Sequence, residues 1–233
     1  MPRWFAHRGG GDQAPENTLA GIRRAAALGL QAVEFDVMLS ADGTPLLIHD
    51  ETLERTTNGG GRVAATPDRV LFTLDAGGEP PPRLSDAAGL CRQLGLLANV
   101  EIKPAAGYEV ITGEVVAALA ATLWQGAAVP PLLSSFSAEA LAAARRAAPQ
   151  LPRGWLVETP PPDWPQRLQQ LGAQTLHCAA AAITPQLLAQ ARNLGVPLLV
   201  YTVNDAKQAK SLLAAGVAAV FTDRLDLARV ALG

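Results

Sequence analysis

A chain of 233 residues, 49% of them hydrophobic, can bury a sizeable core as one large domain or one barrel. The formal net charge is −2 and no lysine- or arginine-rich run occurs, which argues against nucleic acid or anionic membrane as a main partner. No run approaches a membrane span, Met1 to Arg8 lack the apolar core of a signal peptide, and Cys91 and Cys178 fit no metal or redox spacing, so both read as reduced thiols of a cytoplasmic protein.

In chain order, Trp4-Phe5-Ala6-His7 is a short apolar run that stops at Gly9-Gly10-Gly11, as a strand would. Asn17 to Leu28 has the spacing of an amphipathic helix, with Asn17 or Thr18 near its start and Gly29 at its end. Val33-Glu34-Phe35-Asp36-Val37 then alternates with the period of a strand. Successive side chains of a strand point to opposite faces, so Glu34 and Asp36 share one face, roughly 6–7 Å apart along the chain. Leu46-Leu47-Ile48 is a second apolar run, ending in His49, and the intervening Asp42-Gly43 turn is too short for a helical crossover. The two runs therefore pair as an antiparallel hairpin that brings His49 beside the two carboxylates. Residues 51–83, with Gly59-Gly60-Gly61 and Pro80-Pro81-Pro82, have little period and read as an insertion packed over the mouth of the fold.

From there a helix–glycine–strand pattern recurs at Gly95, Gly172, Gly195 and Gly216, and Ser137 and Thr184-Pro185 read as helix starts. Eight strands near 3–7, 32–37, 97–102, 131–135, 153–157, 174–178, 197–202 and 218–222 fit parallel βα units. An α/β chain of this kind is expected to form a single TIM-type (β/α)8 barrel over residues 1–233, with its chemistry at the C-terminal strand ends. A doubly wound open sheet is the alternative.

The polar residues at those strand ends are His7 and Arg8, Glu34 and Asp36, His49, Glu101 and Lys103, His177, Tyr201, Asn204 and Asp223. In a barrel they converge on one mouth. Three carboxylates without a cysteine partner suit a hard, oxygen-preferring cation, Mg²⁺ or Ca²⁺ before Zn²⁺. Arg8 and Lys103 beside them suit an anionic substrate such as a phosphate ester, and His7 and His49 can exchange protons near neutral pH. Each residue also has a plainer role. The acids could pair with Arg8 and Lys103 without a metal, His49 could cap a turn, and His177 could be a core histidine. Tyr201 could be a pocket wall, and Asp223 could cap the last helix.

The motifs His7-Arg8-Gly9, Pro15-Glu16-Asn17-Thr18, Glu34-Phe35-Asp36-Val37, His49-Asp50, Leu53-Glu54-Arg55-Thr56-Thr57, Glu101-Ile102-Lys103, Ser135-Phe136, Tyr201-Thr202-Val203-Asn204 and Thr222-Asp223 follow one another in a known order. The chain resembles the glycerophosphodiester phosphodiesterase family, closest to its short bacterial cytoplasmic members, over residues 3 to about 227. Tyr201 stands where many members have tryptophan, and Pro82-Arg83-Leu84-Ser85-Asp86 where members often have Pro-Thr-Leu and an acid. The resemblance implies hydrolysis of deacylated phospholipids, such as glycerophosphocholine, to glycerol 3-phosphate and an alcohol. By motif position Glu34, Asp36 and Glu101 would hold a divalent metal and His7 and His49 would form the acid–base pair. Arg8 and Lys103 would grip the phosphate, and Tyr201 would wall the substrate pocket. The implied partner is a small glycerophosphodiester, and a homodimer stays open. Competing readings are a lysophospholipase D-type enzyme, a non-catalytic sensor that keeps the barrel, and an amidohydrolase, for which three histidines are too few.

Overall fold

The computed structural model describes residues 1–232, with side chains through Ala228. Its strands are β1 (Trp4–Ala6), β2 (Ala32–Leu39), β3 (Pro45–Leu47), β4 (Leu97–Ile102), β5 (Leu132–Ser135), β6 (Arg153–Val157), β7 (Thr175–Ala179), β8 (Leu198–Tyr201) and β9 (Ala219–Thr222). The strands other than β3 pair in parallel in the ring order β1-β2-β4-β5-β6-β7-β8-β9. The ring closes where Trp4, Phe5 and Ala6 pair with Val220, Phe221 and Thr222. The fold is therefore the eight-stranded parallel barrel and not the open sheet. β3 lies outside the ring, antiparallel to the end of β2, with Leu47 opposite Val37 and Pro45 opposite Leu39.

Between the strands run α1 (Leu19–Ala27), α2 (Asp68–Leu71), α3 (Leu84–Leu94), α4 (Glu109–Leu123), α5 (Ala138–Ala147), α6 (Trp164–Leu171), α7 (Pro185–Leu194), α8 (Ala206–Ala214) and α9 (Leu225–Leu232). Local chemistry sets their ends. The Thr18, Ser137 and Thr184 hydroxyls accept the backbone N–H groups of Gly21, Ala140 and Leu187 at 3.0, 3.1 and 3.1 Å, each satisfying an otherwise orphaned donor of the first turn. Gly95 ends α3 at φ +68°, a left-handed conformation that costs glycine nothing. Among the described residues no helix is long and apolar enough to cross a membrane.

Strand alternation sorts the side chains. Trp4, Ala6, Val33, Phe35 and Val37 face the helices and join the main core. Phe5, Ala32, Leu132, Leu199, Ala219 and Phe221 form a separate cluster inside the barrel. Each buried Phe or Leu side chain of this cluster contributes about 1.5–3 kcal/mol. Glu34, Asp36 and Glu101 occupy inward positions nearer the C-terminal end, so the polar site rests on an apolar floor.

In the segment 51–83, Leu53, Val63 and Leu71 pack with Met38, Leu46 and Ile48, and none of its residues lines the cavity itself. Met38 shares its strand face with Glu34 and Asp36 and pairs with Leu46, so the segment lies on the barrel-mouth side of the β2–β3 hairpin. Covering that apolar face is what recruits the segment.

Candidate active site

Glu34, Asp36 and Glu101 are 3%, 2% and 8% exposed. Parallel pairing sets Asp36 beside Glu101, and one carboxylate oxygen from each of the three residues lies within 4.8 Å of the others. Burial raises the Glu34 pKa, and the neighbouring Asp36 and Glu101 raise it further. Glu101 is raised by burial and then by Asp36. Like charges this close out of water call for a neutralising partner, a proton or a cation. Asp36 already has partners: Asn17 Nδ2 donates to its Oδ2 at 2.9 Å, and Lys103 Nζ donates to Oδ1 at 3.4 Å. Glu34 accepts the Arg8 backbone N–H at 2.8 Å on Oε2, while its Oε1 is buried without a partner.

The two expected histidines face the same cavity with the same internal arrangement. His7 Nδ1 lies 2.7 Å from Asp223 Oδ1, and His49 Nδ1 lies 2.6 Å from Asp50 Oδ1. A carboxylate at Nδ1 takes that N–H and leaves Nε2 as the ring's free atom. His7 Nε2 points to the carboxylate cluster, 4.0 Å from Glu34 Oε2. The imidazole lowers the Asp223 pKa, and the Arg55 guanidinium, followed by His49, holds Asp50 far below the usual carboxylate range. Burial lowers the His49 pKa, more than the neighbouring acids raise it. A chain of ion pairs links the two sides. Arg55 donates to Asp50 Oδ1 at 3.0 Å and to Glu16 Oε2 at 2.7 Å, and Glu16 accepts from Arg8 at 3.0 Å.

Arg8 takes its place through an unusual backbone, at φ +50°. That conformation costs about 1–2 kcal/mol for a non-glycine residue. It aims the Arg8 N–H at Glu34 and brings the side chain into the cavity lining, where Nε is buried without a hydrogen-bond partner and 3.9 Å from Asp36 Oδ2. The cavity holds about 260 Å³ and is lined on its polar side by His7, Arg8, Glu34, Asp36, His49, Asn99, Glu101 and Lys103. Its opposite wall is apolar: Phe136, Leu156, Tyr201 and Phe221. Tyr201 spends its hydroxyl on the Val157 carbonyl at 2.8 Å, so it presents a ring to the cavity.

A family model for glycerophosphoryl diester phosphodiesterases matches residues 7–227. The chain belongs to the glycerophosphoryl diester phosphodiesterase family. As a member it is an enzyme, a phosphoric diester hydrolase of the glycerophosphodiester class. It is 33% identical over 229 residues to a glycerophosphodiester phosphodiesterase of Caldanaerobacter subterraneus, covering 94% of this chain and 93% of the relative. Among solved structures it resembles an Oleispira antarctica phosphodiesterase in complex with the product sn-glycerol-3-phosphate, with TM-score 0.94, 35% identity, and coverage of 100% of this chain and 98% of that one. A glycerophosphodiester phosphodiesterase from Agrobacterium tumefaciens is similar at TM-score 0.82 and 29% identity, covering 99% of this chain and 100% of that one.

Two residues read as mouth residues stand elsewhere in this family member. His177 is fully buried in the barrel interior, hydrogen-bonded with Thr175 Oγ1 at 2.9 Å and tilted against Phe221 with ring centroids 5.5 Å apart. It sits too deep on β7 to reach the cavity, and Gly154 makes room for its ring, since a Cβ there would meet Nε2 at 2.4 Å. Asn204 lines no part of the cavity either; its Nδ2 donates to Asp223 Oδ2 at 2.8 Å and so fixes the partner of His7. Asp223 is thus committed to His7 and Asn204 by its side chain and does not serve as a helix cap. The residues that sequence reasoning passed over are Asp50, Glu16, Asn17 and Arg55. All four lie inside motifs that mark the family, and adjacency to His49 or to the Pro15–Thr18 string was the available signal. Both cysteines are buried, and burial pushes each thiol up to about 12, so neither is a nucleophile.

Proposed function

We propose that this enzyme hydrolyses glycerophosphodiesters to sn-glycerol 3-phosphate and an alcohol, using a divalent cation held by Glu34, Asp36 and Glu101 and an acid–base pair formed by His7 and His49. One observation carries the reading. The cavity contains both a buried acceptor without a hydrogen-bond donor, Glu34 Oε1, and a buried donor without a hydrogen-bond acceptor, Arg8 Nε, which faces Asp36 Oδ2 only at 3.9 Å. Leaving either group unmet costs about 1–3 kcal/mol. A cation meets the first and a phosphate oxygen meets the second, so the site is complementary to a metal–phosphate pair. The product bound to the Oleispira antarctica relative, sn-glycerol-3-phosphate, carries such a phosphate.

Three buried oxygen ligands without sulfur suit Mg²⁺ or Ca²⁺. The cation would supply charge neutralisation and Lewis acidity at the phosphate. Arg8 and Lys103 donate to the phosphate oxygens and hold the charge that grows as the diester is attacked. His7, with Nε2 beside the acidic cluster, takes the proton of the nucleophile. His49 Nε2 gives a proton to the leaving alcohol oxygen. Asp223 and Asp50 hold the Nδ1–H of each ring, which leaves His7 Nε2 free to accept a proton, and His49 donates from Nε2 as the imidazolium that Asp50 stabilises. Replacing His7 or His49 with alanine should lower kcat by about two to four orders of magnitude. A loss under tenfold at both positions would remove the acid–base assignment. Titration calorimetry should show Mg²⁺ or Ca²⁺ binding that is lost in Glu34→Ala; unchanged affinity would remove Glu34 from the ligand set.

A further inference from the structure

Three residues that line the reaction cavity carry a buried polar atom without a hydrogen-bond partner among the described residues: Glu34 Oε1, Arg8 Nε and Asn99 Oδ1. A cation answers the first and a phosphate oxygen the second, and neither answers Asn99. This residue is 1% exposed and stands on β4 two positions before Glu101. Its side chain therefore shares the inward face of Glu101 and lies roughly 6–7 Å further from the mouth. Pairing sets it beside Glu34 on one side and Leu132 on the other, and Leu132 belongs to the apolar cluster inside the barrel. Asn99 thus stands where the polar lining of the cavity meets its apolar floor.

The amide is held one way round. Its Nδ2 donates to Ser134 Oγ at 2.9 Å, and Ser134 is itself fully buried. Oδ1 is left as a neutral acceptor turned to the cavity. An ionised phosphodiester has no hydrogen to give it, and a cation is drawn first to the three carboxylates. The glyceryl end, common to the whole substrate class, carries two hydroxyl donors. The terminal one lies farther from phosphorus, so it reaches farther below a phosphate held at the level of Glu101. We propose that Asn99 is a specificity-determining residue whose Oδ1 accepts the terminal hydroxyl of the glyceryl group, with Ser134 as the positioning residue for the amide. This rests on the glycerophosphodiester reading given above. Discrimination follows from burial: a diester that lacks the hydroxyl leaves the amide oxygen out of water and unpaired, whereas the apolar wall at Leu156 and Phe221 would tolerate the missing group.

The test compares kcat/KM for glycerophosphocholine with that for its analogue in which hydrogen replaces the terminal hydroxyl, in the wild-type enzyme, in Asn99→Leu and in Ser134→Ala. Choline brings no donor of its own, and the analogue keeps the secondary hydroxyl. The wild type should favour glycerophosphocholine by about ten- to a hundredfold. Asn99→Leu, of similar volume, should bring the two substrates within about threefold of each other, and Ser134→Ala should give a ratio between those of the wild type and Asn99→Leu. A wild-type ratio near one, which needs no variant to fold, would overturn the assignment, and so would a wild-type ratio retained in Asn99→Leu. A loss of Mg²⁺ or Ca²⁺ affinity in Asn99→Leu as large as in Glu34→Ala, read by titration calorimetry, would overturn it too, by making Asn99 a metal ligand. Failure of the wild type to turn over glycerophosphocholine with either metal would instead overturn the underlying reading of the reaction.

Discussion

Each histidine of the site is aligned by a carboxylate, and the carboxylate is itself held. Asp223 is fixed by Asn204 at 2.8 Å, and Asp50 by Arg55. Removing the acceptor while keeping the shape should free the ring to take the wrong tautomer. Asp223→Asn is therefore expected to lower kcat about ten- to a hundredfold with a smaller change in KM. Unchanged kcat with a lowered unfolding midpoint would show Asp223 to be structural only. At this scale the clustering of Glu34 and Asp36 with His49 was legible, because alternation along Val33–Val37 and the position of His49 after an apolar run are local signals. The partners were not. The bond from Asp223 to His7 spans 216 positions and exists only because the barrel closes β9 against β1. His177 shows the converse, since parity on β7 placed it inward but could not tell the barrel floor from its mouth.

Among the elements, the contact between α4 and α5 is set by one missing side chain. A Cβ at Gly113 would meet the Ala140 carbonyl oxygen at 2.3 Å and the Ala140 Cα at 2.9 Å, both rigid backbone. Gly113→Ala should destabilise the fold by about 1–3 kcal/mol in urea unfolding. Gly89, exposed on α3 with nothing within 4 Å of its added Cβ, gives the opposite sign: Gly89→Ala should stabilise by about 0.5–1 kcal/mol. Equal effects at the two positions would contradict the close approach. The strands and several helix ends were readable because glycines in the left-handed region and hydroxyl caps are local codes. α4 was not, since its residues are apolar on most sides and carry no clear helical period. The internal structure of segment 51–83 was not legible for a related reason. It packs on Met38, Leu46 and Ile48 of the β2–β3 hairpin, which no periodicity inside the segment reports.

For the whole molecule, the buried His177 couples stability to pH. Burial pushes its pKa down to about 3, while an unfolded chain titrates near 6.5. Between those values the unfolded state binds a proton that the folded state does not, so this group makes stability fall as pH falls below 6.5, by at most about 1.4 kcal/mol per pH unit. His177→Gln should flatten the dependence of urea midpoint on pH between about 6.5 and 5, and an unchanged slope would show that the histidine takes up its proton without unfolding. The barrel places this ring at the level of the apolar cluster, beside Leu199 and Phe221, and the charged groups nearer the C-terminal strand ends, which separates a stability layer from a chemical one. In the upper layer, buried carboxylates are proposed to hold a cation and Arg8 to hold the substrate phosphate. The most direct measurement is release of glycerol 3-phosphate from glycerophosphocholine by the purified enzyme, first with excess EDTA and then with Mg²⁺ or Ca²⁺ restored. Turnover abolished by EDTA and recovered with the metal is the expected result; full turnover in EDTA, or none with either metal, would contradict it.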